Sequence, residues 1–195
     1  MSTSTPVRSP NDALHFNGTM LPINLGQFWQ WMGSDLLNNT LRGMLAEFIV
    51  AEAIGAVEQV RDPWQAFDLH AALGARVEVK SCAYRQTWKQ KRPSTIRFSI
   101  GPTREWNPET GEYQSAARRQ ADVYVFCILE NENPDPRDPL ELNRWSFYIL
   151  ATRVLNERCP KQKSIGLKSL LRLNPVKCSF TELAGVVKAA NEVRP

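Results

Sequence analysis

The chain has 195 residues, enough for one domain with a substantial core, since domains typically span roughly 100–200 residues. Hydrophobic residues make up 43% of the chain and charged residues 23%, which excludes a wholly disordered chain, a collagen-like repeat and a disulfide scaffold. The net charge of +4 is modest, and the sequence predicts neither a membrane span nor a signal peptide, because no apolar run is long enough for a bilayer.

The sequence predicts a single domain behind a short extension. Residues 1–24 are rich in Ser, Thr, Pro and Asn, so we expect a flexible N-terminal extension there. Residues 25–195 follow as one domain, with a core at 38–150 and a helical tail at 151–195. The four cysteines are widely spaced and form no CxxC motif, so we expect reduced thiols in a cytoplasmic protein.

Two helices are predicted before the first strands. Apolar residues between 25 and 37 favour a short helix or packed segment. Residues 41–56 form the clearest helix, because their apolar side chains cover most of the circumference and predict burial on several sides. The sequence Asn38-Asn39-Thr40 offers a cap at the start of this helix, and Gly55 offers a stop at its end.

The middle of the chain carries strand patterns. Residues 76–80 alternate polar and apolar side chains, which predicts a half-buried strand paired with 65–69 in an antiparallel hairpin. The remaining predicted elements are strands at 95–100, 121–129 and 145–150 and a last helix at 181–193 capped by Thr181. The apolar segment 121–129 is expected to be a central strand covered on both faces. This order favours an α/β fold with a mixed sheet between helices.

The predicted hairpin holds the residues that indicate chemistry. Glu78 and Lys80 are two residues apart in a strand, so they share one face, and Asp68 on the neighbouring strand can lie beside Glu78. Two adjacent carboxylates repel each other unless they share a proton or bind a cation. Oxygen ligands of this kind suit Mg²⁺, and a lysine beside the ion can assist water attack on a phosphodiester.

Glu47 adds a further acid from the apolar helix. Its helical neighbours three and four residues away include no cation, so no local ion pair accounts for it. A buried carboxylate needs a partner, and a metal-bound water or the Lys80 ammonium would serve. A position at a solvent edge, or pairing with a distant arginine, is the alternative.

Together these residues resemble the PD-(D/E)xK nuclease superfamily, which has the restriction-endonuclease-like fold. The resemblance covers roughly residues 38–150 and implies Asp68, Glu78 and the Val79 carbonyl as metal ligands. It also implies Lys80 as the catalytic lysine and Glu47 as an auxiliary acid. The residue before Asp68 is Phe67 where the superfamily motif has proline. The expected cofactor is therefore Mg²⁺, for which Mn²⁺ can substitute.

A basic segment follows the motif. Residues 76–104 contain eight cations and one acid, a pattern typical of a polyanionic partner. Some superfamily branches place a glutamine after the lysine near the active site, which implies a catalytic role for Gln86; a surface glutamine is the alternative. The residues predicted to contact nucleic acid are Arg85, Lys89, Lys91, Arg92, Arg97, Arg118 and Arg119.

The sequence thus predicts a metal-dependent endonuclease acting most readily on DNA, with RNA left open. A homodimer is compatible with cutting two strands. Two alternatives stand beside this prediction. One is a nucleic-acid-binding protein without catalysis on the same fold, and the other is a structural or partner-binding α/β protein whose carboxylates form salt bridges.

Overall fold

The computed structural model describes residues 5–57, 60–72, 74–107, 110–130 and 138–192. The strands are β1 (Ala13–Phe16), β2 (Thr19–Asn24), β3 (Leu69–His70), β4 (Arg76–Ala83), β5 (Arg97–Ser99), β6 (Trp106–Asn107), β7 (Glu112–Tyr113), β8 (Val123–Leu129), β9 (Trp145–Ala151), β10 (Ser164–Gly166) and β11 (Val176–Cys178). The helices are α1 (Leu25–Gly33), α2 (Asn39–Ile54), α3 (Thr152–Arg158), α4 (Leu167–Leu171) and α5 (Leu183–Glu192). Among the described residues, no helix combines the length and apolarity that crossing a bilayer requires.

A five-stranded mixed sheet forms the centre of the fold, in the order β11-β9-β8-β4-β3. The β4 and β8 strands run parallel, whereas β3 pairs with β4, and β9 with β8 and β11, in antiparallel fashion. Every residue of β8 is buried, as a continuous apolar run predicts for a central strand. The structure thus confirms the predicted α/β class, the mixed sheet and the central position of this strand.

The α2 helix begins and ends where its sequence dictates. The Asn38 side chain accepts a hydrogen bond from the Thr40 N–H at 2.9 Å, which caps the first turn. At the other end Gly55 has a φ of 65°, a left-handed conformation that glycine adopts without strain. Between these ends Ala46 and Val50 are fully buried in the core on one face of the sheet, which also includes α5 residues.

The opposite face of the sheet has its own apolar core, built from Phe126, Tyr148 and residues of a short ribbon, α3 and α4. The predicted strand at 95–100 is found as β5, but it pairs with β10 in this two-stranded ribbon and not with the central sheet. The Phe98 ring of β5 packs on Phe126 of β8, with 5.0 Å between ring centroids. Both faces of β8 are therefore covered, which explains its complete burial.

The N-terminal residues form structure that the sequence analysis did not predict. The β1 and β2 strands make an antiparallel hairpin that turns at Asn17-Gly18, both with positive φ. The Asn24 side chain accepts from the Gln27 N–H and caps α1 directly after the hairpin. Residues 1–4 of the predicted extension lie outside the described residues.

The C-terminal region forms three helices and two short strands. The predicted last helix is α5, but Thr181 does not cap it. Instead Ser179 and Glu182 form a capping box around a 3-10 turn that leads into the helix. Residue 193, the last of the predicted helix, and residues 194–195 lie outside the described part of the chain.

Candidate active site

The β4 strand presents its polar side chains as the alternation predicts. Val77 and Val79 are buried in the core beneath α2, while Glu78 and Lys80 point to the opposite face. The Lys80 ammonium contacts a Glu78 carboxylate oxygen at 2.5 Å. Their side chains are 27% and 18% exposed, so the pair is partly withdrawn from water yet open on one side.

Asp68 lies directly before β3 and is fixed to the same strand. Its backbone N–H donates to the Val77 carbonyl at 3.1 Å, and its carboxylate accepts from the Val79 N–H at 2.7 Å. The predicted hairpin therefore brings Asp68 beside the Glu78-Val79-Lys80 sequence, the ExK motif. The first strand of that hairpin is shorter than expected, because only Leu69 and His70 pair with β4.

The charge environment of Asp68 includes the other predicted acids. Burial, together with the negative charges of Glu78 and Glu47, raises the pKa of Asp68 from 3.8 to about 7. The Val79 N–H and the Lys80 ammonium oppose this rise but do not cancel it. The charges of Glu47, Glu78 and Lys80 thus all reach Asp68, although α2 and the ExK motif come from different parts of the chain.

Glu47 is paired with an arginine that the sequence analysis did not single out. The Arg61 guanidinium donates to the Glu47 carboxylate at 2.5 Å. This hydrogen bond and the charges of Glu47, Asp68 and Asp62 raise the pKa of Arg61, although its partial burial opposes the rise. The distant arginine, the alternative left open for Glu47, is therefore what the structure shows, and Arg61 joins the site.

The acids offer oxygen donors but are not arranged as a closed metal cage. Among residues 5–57, 60–72, 74–107, 110–130 and 138–192, no three His, Cys, Asp or Glu side chains are grouped to hold an ion. Glu78 is turned to Lys80 and Glu47 to Arg61. The charge repulsion on Asp68 is nonetheless the situation that a divalent cation relieves. Asp68 and Glu78 are therefore the side chains that could hold one.

A cavity of about 350 Å³ opens beside Asp68 and Glu47. One wall is apolar and comes from α2 and the segment after it; its side chains are Met44, Phe48, Ala51, Ala56, Val57 and Val60. The other wall is polar and includes Arg61, Asp62, Gln65 and His70. Phe48, which directly follows Glu47 on α2, remains 54% exposed. Neither the cavity nor the exposure of Phe48 follows from the sequence pattern of α2.

Gln86 lies inside the protein. It is 7% exposed, its side-chain oxygen accepts from Arg42 at 2.9 Å, and its nitrogen donates to the Ala83 carbonyl at 3.1 Å. Arg42 is itself buried, and this burial lowers its pKa. Through these contacts Gln86 connects α2 to the end of β4, which is a structural role. Its catalytic role stays a prediction.

The predicted nucleic-acid contacts fall into two groups. Arg119 is only 7% exposed and donates to the carbonyls of Ile100 and Cys159, each at 2.7 Å. This placement argues against the predicted phosphate contact, because the guanidinium is used to fix the end of α3. Arg118 and Arg97 are exposed, but each already contacts a neighbouring side chain.

The remaining basic residues lie on a loop that follows β4. The Ser94 N–H donates to the Tyr84 carbonyl at 2.7 Å and closes this loop at its base. Lys89, Lys91 and Arg92 are exposed on it, and within the described residues none of them forms a salt bridge. Arg85, partly exposed, stands at its start. Arg85 is five residues from Lys80. At about 3.3 Å per residue, the start of the loop therefore lies within roughly 17 Å of Lys80.

The fold and site together describe an α/β protein with a lysine and several carboxylates at a sheet edge, next to an open cavity and a basic loop. Residues 30–167, more than two thirds of the chain, match the family model of bacteriophage T4 endonuclease IV. The chain belongs to this family and is therefore a nuclease. The matched region contains Glu47, Asp68, Glu78 and Lys80. No curated protein matches the chain.

Proposed function

We propose that the protein is a metal-dependent DNA endonuclease of the PD-(D/E)xK type, with the restriction-endonuclease-like fold. The observation that carries the proposal is the position of Asp68, whose carboxylate accepts from the Val79 N–H while burial and the charges of Glu78 and Glu47 raise its pKa. Partly buried acids with a raised pKa are common at catalytic centres. Membership in the endonuclease family supports the same reading.

Asp68, Glu78 and the Val79 carbonyl are the groups that would hold Mg²⁺ or Mn²⁺. Because the Val79 N–H faces Asp68, and because N–H and C=O of one strand residue point to the same side, the Val79 carbonyl borders the same edge. When bound, a divalent ion would supply Lewis acidity and orient a water molecule. The carboxylates would keep such an ion at this edge and balance its charge.

Lys80 is the residue proposed to stabilise the reacting phosphate. Its ammonium is held by Glu78 at the open side of the pair, so it can donate to a phosphate oxygen as negative charge builds up there. Glu47 is proposed to orient the attacking water from the helix side. Arg61 keeps the Glu47 carboxylate in place and offers a cation to the polar wall of the cavity.

The cavity and the basic loop are proposed to hold the substrate on either side of these groups. The cavity is wide enough for a nucleotide next to the scissile phosphate, and the exposed Phe48 ring gives a base a surface on which to stack. The exposed cations of the loop, Lys89, Lys91 and Arg92, would contact backbone phosphates further along the strand. Their freedom from salt bridges among the described residues leaves them available.

The proposal is tested by incubating the purified protein with supercoiled plasmid, single-stranded DNA and RNA, each with Mg²⁺, Mn²⁺ or EDTA. Cleavage of DNA that needs the metal is expected, and it should fall at least about 100-fold in Lys80→Met and Asp68→Asn. Lys188→Met is the matched control, because Lys188 forms an exposed ion pair with Glu192 on α5. Cleavage that survives in both active-site variants, or persists in EDTA, would overturn the proposal; preferential cleavage of RNA would replace its substrate.

A second candidate is a nucleic-acid-binding protein without catalysis. The contact between Lys80 and Glu78 favours it, because each of these groups already satisfies the other. This candidate predicts salt-dependent DNA binding by the wild type with no cleavage under any metal. A protein with neither cleavage nor salt-dependent binding would instead support a structural or partner-binding role.

A further inference from the structure

Residues 13–33, here called the N-terminal arm, comprise β1, β2 and α1, and they expose an unusual amount of apolar surface. No residue of α1 is buried. Eight large apolar side chains of the arm are between 39% and 84% exposed: Leu14, Phe16, Met20, Ile23, Phe28, Trp29, Trp31 and Met32. Exposed apolar patches larger than a few hundred Å² usually mark an interaction site on a soluble protein.

The arm is nonetheless a built structure. Its turn at Asn17-Gly18 suits a tight hairpin, and α1 starts at a capping box immediately after β2. The Gly26 N–H donates to the Pro10 carbonyl at 2.7 Å, and a Cβ at position 26 would lie 3.1 Å from that oxygen. The start of α1 is thus fixed to the residues before β1, so the apolar side chains are held outward by a defined scaffold.

The apolar side chains are arranged by face. Phe28, Trp31 and Met32 are three and four residues apart and share one side of α1, with 6.4 Å between the Phe28 and Trp31 ring centroids. Leu14 and Phe16 are two residues apart and share one face of the hairpin. Each element of the arm therefore offers an apolar face, and no linker separates the hairpin from the helix.

The chemistry of the arm identifies its partner. Residues 13–33 contain no Asp, Glu, Lys or Arg. A surface without cations cannot draw affinity from DNA phosphates, and membrane-bound amphipathic helices typically carry Lys and Arg on the polar face. A two-fold contact between identical surfaces brings each residue near its own copy, so a surface without charge can pair with itself free of like-charge repulsion.

The exposed area also fits a dimer. At roughly 150–250 Å² for a large side chain, the exposed fractions of Leu14, Phe16, Phe28, Trp31 and Met32 amount to roughly 400–700 Å². Weak protein interfaces bury less than about 600 Å² on each partner, so a dimer that depends on concentration is expected. We infer that the N-terminal arm is a self-association surface that pairs two copies of this chain. The inference does not depend on the proposed nuclease mechanism, because it can be measured without substrate or metal.

The test is the solution mass by light scattering after size exclusion, at protein concentrations from about 1 to 100 μM. We expect twice the monomer mass of 22.1 kDa for the wild type. Phe16→Glu and Trp31→Glu place a charge on each face of the arm and should give monomers with unchanged circular dichroism. Trp64→Glu is the matched control, because Trp64 is 74% exposed but outside the arm, and it should remain dimeric.

Three results would overturn the inference: a monomeric wild type at all concentrations, a dimer that survives both arm substitutions, or a monomer that floats with lipid vesicles. If Trp64→Glu also dissociates, hydrogen exchange of the wild type at low and high concentration decides. Protection of residues 13–33 that rises with concentration supports the arm as the interface. Protection that rises only elsewhere overturns it.

Discussion

The Asp68 carboxylate accepts its hydrogen bond from the Val79 N–H, the central residue of the ExK motif. This contact joins the segment before β3 to the middle of β4, where the charges of Glu78 and Glu47 reach the acid. The hydrogen bond stabilises the ionised form of Asp68, whereas burial and the two neighbouring acids favour the protonated form. Because the second effect is the larger, the charge state of Asp68 near neutral pH depends on what else occupies the site.

Without divalent metal, the free energy of unfolding should depend on pH through Asp68. Below about pH 4 the carboxyl of Asp68 is protonated in both folded and unfolded chains, so it adds no pH dependence to the free energy of unfolding. As pH rises from about 4 to about 7, the unfolded chain loses this proton while the folded chain, with its pKa of about 7, retains it. The free energy of unfolding should therefore fall by about 2–4 kcal/mol over this range.

Asp68→Asn should remove that part of the pH dependence, since the amide cannot ionise. Urea unfolding of both proteins between pH 4 and 8 measures it, with the exposed Asp35→Asn as control. Parallel curves for the wild type and Asp68→Asn would show that the carboxylate is not under strain.

Divalent metal should reverse this loss of stability. A ligand that binds only the folded state adds about 2.7 kcal/mol at 100 times its Kd, which for a chain of this size raises the Tm by roughly 5–10 °C. At pH 8 we expect such a rise with Mg²⁺ or Mn²⁺ for the wild type and for Asp35→Asn, but not for Asp68→Asn. Differential scanning calorimetry at matched ionic strength measures it. An equal rise in all three proteins would place the metal elsewhere.

Two acids on α2 differ in position, so substituting each of them tests whether position determines the effect on DNA cleavage. Glu47 faces the cavity and contacts Arg61, whereas Glu52 is exposed on the same helix. Glu47→Gln should lower the rate of DNA cleavage by about 10–100-fold, as is typical when a group that supports a metal site is changed. Glu52→Gln should leave the rate within about twofold. Equal rates for the two variants would remove Glu47 from the site.

The parts of the fold that follow local rules were predictable from the sequence. The α2 helix has an asparagine cap and a glycine stop, and β8 is an unbroken apolar run, so each element carries its own signal. The hairpin of β3 and β4 also follows from alternation along β4. The N-terminal hairpin carried a usable signal in Asn17-Gly18, which was outweighed by the polar composition around it.

The site was only partly predictable, because its remaining members depend on contacts far apart in the chain. Asp68 and the ExK motif are close in sequence, and strand geometry brings them together. Arg61 meets Glu47 across 14 residues, and Gln86 meets Arg42 across 44. Tertiary packing also decides whether a cation faces solvent or the interior. Lys89 is exposed, whereas Arg119 is buried.

Gln86 allows a structural role to be separated from a catalytic one. Gln86→Ala removes one of the four acceptors of buried Arg42, and an unsatisfied buried donor costs about 1–3 kcal/mol. We expect a loss of stability of that size by chemical unfolding, with an unchanged cleavage rate per folded molecule. The exposed neighbour Thr87→Ala should change neither quantity. A cleavage rate that falls more than tenfold in fully folded Gln86→Ala would instead support the role predicted from sequence.

The loop between Tyr84 and Ser94 gives the sharpest test of substrate binding. Each lysine or arginine that contacts a phosphate of duplex DNA contributes about −0.9 to the slope of log affinity against log salt concentration. Replacing Lys89, Lys91 and Arg92 together by glutamine should therefore make the slope shallower by about 2–3 and weaken binding most at low salt. Fluorescence anisotropy with a labelled duplex measures the slope. The control changes the same net charge at three exposed lysines beyond β9: Lys161→Gln, Lys163→Gln and Lys168→Gln. An equal change in slope for both triple variants would mean that DNA responds to total charge, and the loop would lose its assigned role.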